Sequence, residues 1–224
     1  MIAFGDSDGG VLGVALAGGL LLAHDGAVRV LPAPRIAERD GGALALLAAD
    51  GLEIALAPLA PAAALGDGTI QVCRAHGGSG TLAFDGVGTI GRSEAAGPVA
   101  LERWLSVWLG PQLTIALAAQ RPRGAGGHGE ERIAATILRG EVPAAAAVGD
   151  GRISTTYDGD GRPIHCGIEL WESDDSEFAD RAAGEAIAHG ELPGPDGATT
   201  IVTFLACHGQ GRRGPGVYLL TRRD

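Results

Sequence analysis

Lysine and asparagine are absent from this 224-residue chain. All 17 basic residues are arginine, against 27 acidic ones, so the formal net charge is -10. Residues 1–98 hold 5 Arg and 10 acids, and residues 99–224 hold 12 Arg and 17 acids. Neither half carries a basic excess. A phosphate backbone needs clustered cations, so nucleic acid is not an expected partner, and the even negative charge favours solubility. Only three cysteines occur (Cys73, Cys166, Cys207), with no Cys-x-x-Cys pair. That excludes zinc-ribbon and thioredoxin readings and leaves buried, reduced thiols in a cytoplasmic protein. No basic segment precedes the first apolar residues, which run straight into Asp6-Ser7-Asp8, so a signal peptide is not expected. The apolar run Val11 to Ala23 is too short to span a membrane and contains three glycines.

Hydrophobic residues make up 46% of the chain, enough for a core in one large domain or two small ones. Abundant Ala, Gly and Arg read as the codon bias of a GC-rich genome. The dominant local signal is Asp-Gly, at 8–9, 25–26, 40–41, 50–51, 67–68, 85–86, 150–151, 158–159, 160–161 and 196–197. This dipeptide supplies the positive φ angles of tight hairpins. The intervening apolar runs alternate with period two, as in Leu52-Glu-Ile-Ala-Leu56, the mark of half-buried strands.

The first half reads as strands near 11–17, 20–24, 27–31, 34–39, 43–48, 52–57, 69–74, 80–85 and 87–92, with Pro58 to Leu65 a loop. Gly91 to Pro98 is the expected boundary, giving halves 1–98 and 99–224. Residues 99–109 fit a helix face or a strand, and the β-favouring Trp and Val decide for a strand. Further strands are expected at 112–119, 131–139, 143–148, 152–157, 164–171, 184–190, 199–208 and 215–222. Asp174 to Ala183 forms a short helix or a loop. A sheet this long must close on itself to hide its edges. The expected fold is therefore all-β: two antiparallel lipocalin-like barrels or sandwiches, or one continuous curled sheet, with little helix.

Several motif matches fail on context. Gly124 to Gly129 and Gly209 to Gly214 satisfy GxGxxG, but neither stands between a strand and a helix as dinucleotide binding requires. Gly5-Asp-Ser-Asp-Gly9 satisfies GxSxG, and Phe4-Gly-Asp-Ser7 resembles the first block of the SGNH hydrolases. That family needs a later Gly-x-Asn-Asp block, which a chain without asparagine cannot supply, so a polar turn before the first strand is the reading kept. His128-Gly-Glu130 matches half of the zinc-deaminase signature without its Pro-Cys-x-x-Cys partner. The six histidines are scattered, and no spacing predicts a metal site.

The stretch Gly126 to Trp171 gathers what chemistry remains. If a strand has begun at His128, its side chain and that of Glu130 share one face about 6–7 Å apart, a spacing suited to an acid and a base sharing a substrate. In 164–171, Ile164, Cys166, Ile168 and Leu170 form an apolar face, and His165, Gly167, Glu169 and Trp171 the other. His165 and Glu169, about 13 Å apart along the strand, need partners from a neighbour, and Arg152 and Tyr157 lie on the opposite arm of the Asp158–Gly161 hairpin. Arg103, with Trp104 and Trp108, is a further contact candidate.

Gly-His-Gly-Glu, Arg-Ile-Ser-Thr-Thr-Tyr-Asp-x-Asp-Gly, Gly-Ile-Glu-Leu-Trp, Arg181-x-x-Gly-Glu185 and a terminal Gly-x-Gly-x-Tyr-x-x-x-x-Arg-Arg together resemble the hydroxyneurosporene-synthase-like (carotenoid hydratase-like) bacterial proteins. The resemblance covers roughly 99–224. It implies two calyx-like β units and apolar substrates of terpenoid, steroid or polyketide type, with hydration, isomerisation or cyclisation as activities. The expected function is thus a cofactor-independent hydratase, or an isomerase or cyclase. His128, Glu130 and Glu169 would move protons, and Tyr157, Arg152, Trp171, His165, Arg103 and Trp104 would contact substrate. A non-catalytic carrier of an apolar ligand is the alternative, and a purely structural protein a third. No cofactor, metal or membrane span is expected, and a homodimer is among the allowed assemblies.

Overall fold

The computed structural model describes every residue except 7, 9, 81, 94–98, 111, 142–143, 174, 176, 195–196 and 224, and the side chains of His128 and Ala147. The described chain is two antiparallel sheets joined by short turns. The first contains β1 (Ile2–Asp6), β2 (Val11–Leu16), β3 (Gly19–His24), β4 (Ala27–Leu31), β5 (Arg35–Glu38), β6 (Leu44–Leu47), β7 (Glu53–Pro58), β8 (Ala63–Leu65), β9 (Gly68–Ser79) and β10 (Leu82–Ser93). The second contains β11 (Val99–Trp108), β12 (Leu113–Pro122), β13 (Arg132–Arg139), β14 (Ala144–Ala147), β15 (Asp150–Tyr157), β16 (Pro163–Trp171), β17 (Asp180–Pro193), β18 (Thr199–Gly209) and β19 (Arg212–Arg222). No α-helix is present among the described residues, only three 3-10 turns.

The two sheets share one topology. The first runs β4-β3-β2-β1-β10-β9-β7-β6-β5, with β8 added on β9, and the second runs β14-β13-β12-β11-β19-β18-β17-β16-β15. In each, three strands meander outward from the first, and the last strand pairs back beside the first. The expected all-β fold of two curled lipocalin-like units is what forms, each unit a half-barrel. Turn chemistry explains its tight corners. Asp25 and Gly26 adopt φ of 51° and 74°, and Gln210 and Gly211 adopt 51° and 71°. Two successive positive φ angles make the turn whose twist matches a hairpin.

Alternation sorts the side chains into three cores. Ile2, Phe4, Leu20, Leu22, Ile54 and Leu56 help fill the concave interior of the first sheet. Leu101, Leu105, Val107, Ile115, Leu117 and Ile137 do the same in the second. The outward faces pack back to back, with Leu12, Val14 and Val72 meeting Trp104, Trp108, Phe204 and Val217. Thr89 and Ser106 add a buried hydrogen bond of 3.1 Å across that seam. The second sheet curls until its edges nearly meet, since a β-carbon on Gly151 of β15 would lie 3.3 Å from Ile133 Cγ2 of β13.

Five local expectations are corrected. Residues 2–6, read as a turn, form β1, and part of the 58–65 loop forms β8. The segment 184–190 is the middle of a longer β17, and no helix occupies the described part of 174–183. Asp85-Gly86, read as a turn, lies inside β10, paired with His76 and Ala75. The glycine serves close approach here, because a β-carbon at Gly86 would lie 2.0 Å from the Gly5 carbonyl oxygen on β1. Gly86→Ala should therefore cost about 1–3 kcal/mol through overpacking, a melting-temperature drop of roughly 2–12 °C by calorimetry. The GxSxG turn includes residues 7 and 9, and the expected linker includes 94–98, all outside the described residues.

Candidate functional site

Arg103 interrupts the apolar face Leu101, Leu105, Val107 of β11 and therefore points into the second half-barrel. It is only 3% exposed. Its guanidinium Nη2 is paired with Glu131 Oε2, and the Glu131 side chain is fully buried. Nη1 donates to Thr155 Oγ1 at 3.5 Å, reaching across the interior from β11 to β15. Thr155 Oγ1 lies 3.2 Å from the Tyr218 hydroxyl on β19, and the Tyr157 phenol is near enough to raise the Tyr218 pKa. Arg103 Nε is buried with no hydrogen-bond partner among the described residues. Burial pushes the Tyr218 phenol far above its ordinary value; Arg103 pulls it back and Tyr157 adds to the rise. The phenol is thus held protonated, as a hydrogen-bond donor requires.

A histidine joins this face one step along the wall. His189 on β17, Thr203 on β18 and Tyr218 on β19 are successive register partners. His189 Nδ1 lies 3.0 Å from Thr203 Oγ1. Two strand spacings put the His189 and Tyr218 backbones about 10 Å apart, with the buried Thr203 between them on the same face. Burial lowers the His189 pKa, Arg162 lowers it further, and Asp158 opposes them. Those two residues belong to the β15–β16 hairpin, which crosses the barrel mouth. Arg222 Nη2 donates to Gly161 O at 3.0 Å, and Arg162 approaches Glu191 at 3.6 Å. A cavity of about 500 Å³ opens at this mouth, with Ile201 and Leu220 on its wall and Arg123, Arg222 and Glu191 at its rim. Leu220 is the register partner of Arg103.

The lowered His189 pKa has a stability consequence. Its folded value lies below the ordinary 6.5, so protonation favours the unfolded chain. The contribution is complete above pH 6.5 and is lost as pH falls through the folded value. Melting temperature should fall less between pH 7 and pH 5 in His189→Gln than in the parent, within that linkage; parallel thermal melts check this.

The residues singled out in the sequence divide among four places. Arg103 and Tyr157 face the interior array. Trp104, adjacent to Arg103, faces the opposite way into the inter-sheet core, because neighbours on a strand point to opposite faces. Glu169, Arg152, Trp171 and His165 lie on the outer face of β15–β16. Arg152 stacks over the Trp171 ring at 4.9 Å, and Glu169 pairs with Arg181 at 3.0 Å. Arg152 and Glu169 line an open groove of about 680 Å³ that includes Gly167 and His208. His128 and Glu130 sit in a 3-10 turn rather than at the start of a strand, so the expected shared strand face does not form. The Glu130 carboxylate instead accepts the Gly126 N–H at 2.8 Å within its own exposed loop, and the His128 side chain lies outside the described residues. The Glu169 pair is solvent-exposed, so Glu169→Ala should cost at most about 1 kcal/mol; a calorimetric loss above roughly 4 °C would assign it a larger structural role.

Glu131, Thr155, His189 and Tyr218 were not singled out in the sequence, though a signal existed for all but His189, which follows a bulge in β17. Glu131 has the parity of Ile133, Ala135 and Ile137, and Thr155 that of Ile153 and Tyr157. Tyr218 alternates with Leu220 in the terminal strand. A polar residue at an apolar position of an alternating run was the common mark. The cysteines offer no nucleophile. All three are buried and unpaired, and burial raises Cys73 to about 12 and Cys166 to about 11, so they stay thiols. No helix among the described residues is long and apolar enough to cross a membrane.

Two curled half-barrels of one topology, with a buried polar array in the second, define a lipocalin-like tandem fold. No protein-family model and no curated protein matches the chain. Solved structures do. A crystal structure of kievitone hydratase from Nectria haematococca aligns with TM-score 0.56 at 10% identity, covering 100% of this chain and 87% of that one. A protein carrying the provisional name AttH, from Nitrosomonas europaea, aligns with TM-score 0.63 at 12% identity, covering 99% of this chain and 91% of that one. At these identities the likeness is one of fold, and it supports the resemblance read from the sequence at that level.

Proposed function

We propose that the protein is a cofactor-independent acid–base enzyme of hydratase or isomerase type, acting on an apolar carbonyl compound inside the second half-barrel. One internal comparison carries this reading. The first half-barrel has the same topology, yet the only buried polar residue of its sheet among the described residues is Thr89, which faces the other sheet. The fold therefore closes without a polar interior. The second half-barrel instead buries Arg103, the Glu131 side chain, Thr203 and Tyr218, at a desolvation cost that apolar side chains would avoid. Buried groups of this kind concentrate at functional sites.

The roles follow from the groups. His189, its pKa lowered, is neutral near pH 7 and serves as general base. Tyr218 and Tyr157 donate hydrogen bonds to the carbonyl oxygen as it gains enolate charge. Arg103 and Glu131 hold Thr155, and through it Tyr218, in place. In hydration of an enone, His189 takes a proton from water as its oxygen bonds the β-carbon. The electron pair moves to the carbonyl oxygen, and the imidazolium returns the proton to the α-carbon. In isomerisation the same base carries a proton between two carbons.

This assigns proton transfer to His189 in place of the residues expected from the sequence. Tyr157 and Arg103 keep their expected part. The carrier reading draws support from Arg103 and Glu131 satisfying each other, a bracing role that needs no reaction. Incubation with apolar enones (cyclohexenones, chalcones and unsaturated keto-steroids) in heavy-oxygen water separates the two. Labelled alcohol or a moved double bond supports the enzyme, and binding without chemical change supports the carrier.

A further inference from the structure

A second cavity, of about 530 Å³, lies at one end of the seam between the two sheets. Its apolar wall includes Leu59, Val87, Trp108 and Pro215. Trp108 projects from β11 into the inter-sheet core, away from the interior face that bears Arg103. The size suits a small molecule.

Two of the residues lining it carry buried polar atoms with no hydrogen-bond partner among the described residues: the Trp108 indole Nε1, a donor, and Asp6 Oδ1, an acceptor. Trp108 is 1% exposed. The other Asp6 oxygen accepts the Val11 N–H at 3.2 Å, which fixes the carboxylate. Buried polar groups in folded proteins are ordinarily paired, and a ligand offering one acceptor and one donor would complete both. A hydroxyl group offers both from a single oxygen.

The surrounding charge narrows the class. Asp6, Asp85 and Glu141 line the cavity with a single cation, Arg74. Arg74 is already engaged by Asp85, through Nε to Oδ1 at 3.1 Å and Nη2 to Oδ2 at 2.6 Å. The remaining field repels anions. We propose that this cleft binds a neutral hydroxylated apolar molecule, a phenol or alicyclic alcohol, with its hydroxyl held between Asp6 and Trp108. The site is separate from the half-barrel interior and does not depend on the reaction proposed there.

The indole N–H signals of the three tryptophans in a nitrogen–proton correlation spectrum test this, with Trp108→Phe assigning its own. Titration with α-naphthol should move the Trp108 signal to saturation. Naphthalene should bind about fivefold more weakly or worse, and α-naphthoate should not saturate it. Asp6→Asn keeps an oxygen for the Val11 N–H and should weaken naphthol about fivefold. Val87→Phe, which fills the cavity, should abolish binding and decides the matter if Asp6→Asn does not fold. Tyr218→Phe should leave naphthol binding unchanged. The proposal is overturned if naphthoate binds as tightly as naphthol, if the saturable shift falls on Trp104 or Trp171, or if no saturable shift occurs.

Discussion

Arg103→Met should destabilise the protein by about 3–5 kcal/mol, because it strands the Glu131 carboxylate in an apolar interior without its cation. For a chain of this size that is a fall in melting temperature of roughly 6–20 °C. Glu131→Leu alone should cost a similar amount by stranding the guanidinium. The double variant Arg103→Met, Glu131→Leu should recover most of the loss, since replacing a buried pair by apolar groups of like volume is often neutral or stabilising. Thr155 keeps its contact with Tyr218 in that variant, so the interior stays closed. Chemical denaturation of all four proteins gives the coupling directly. An enzyme predicts a double variant that is stable and slow. A carrier with a bracing pair predicts one that is stable and unimpaired.

Tyr218→Phe should lower turnover about 100-fold or more, the usual penalty for removing a donor aimed at developing negative charge. Its effect on stability should be small, about 1 kcal/mol, because the ring still fills its place and only the hydroxyl contacts to Thr155 and Tyr157 are lost. Substrate affinity should change much less than turnover, because the interaction grows as the enolate forms. A loss confined to affinity would assign Tyr218 to binding alone.

The strands and their alternation were legible from the Asp-Gly turns and period-two runs, and the all-β expectation rests on them. What misled was reading each Asp-Gly as a turn. Asp85-Gly86 shows that the dipeptide also serves close strand approach, which depends on a neighbour far away in sequence. The candidate site was legible in part. Arg103 and Tyr157 stood out, but most polar residues of the polar-rich stretch 126–171 face solvent. Glu169, Arg152 and Trp171 do meet, on the outer face. The array is drawn from β11, β15, β19 and the residue before β13, each giving one or two polar groups to an apolar face. No local window could show its convergence, because it depends on how far the sheet curls.

The central claim is that proton transfer takes place on the inner face of the second half-barrel, at His189, rather than on the outer face at Glu169. Deuterium incorporation from heavy water into the α-carbon of a bound apolar ketone, followed by proton NMR, tests it most directly. The account predicts exchange by the parent protein, loss of about 100-fold or more in His189→Gln, and undiminished exchange in Glu169→Gln. Exchange that survives His189→Gln and disappears in Glu169→Gln, or a bound ketone that never exchanges, would contradict it.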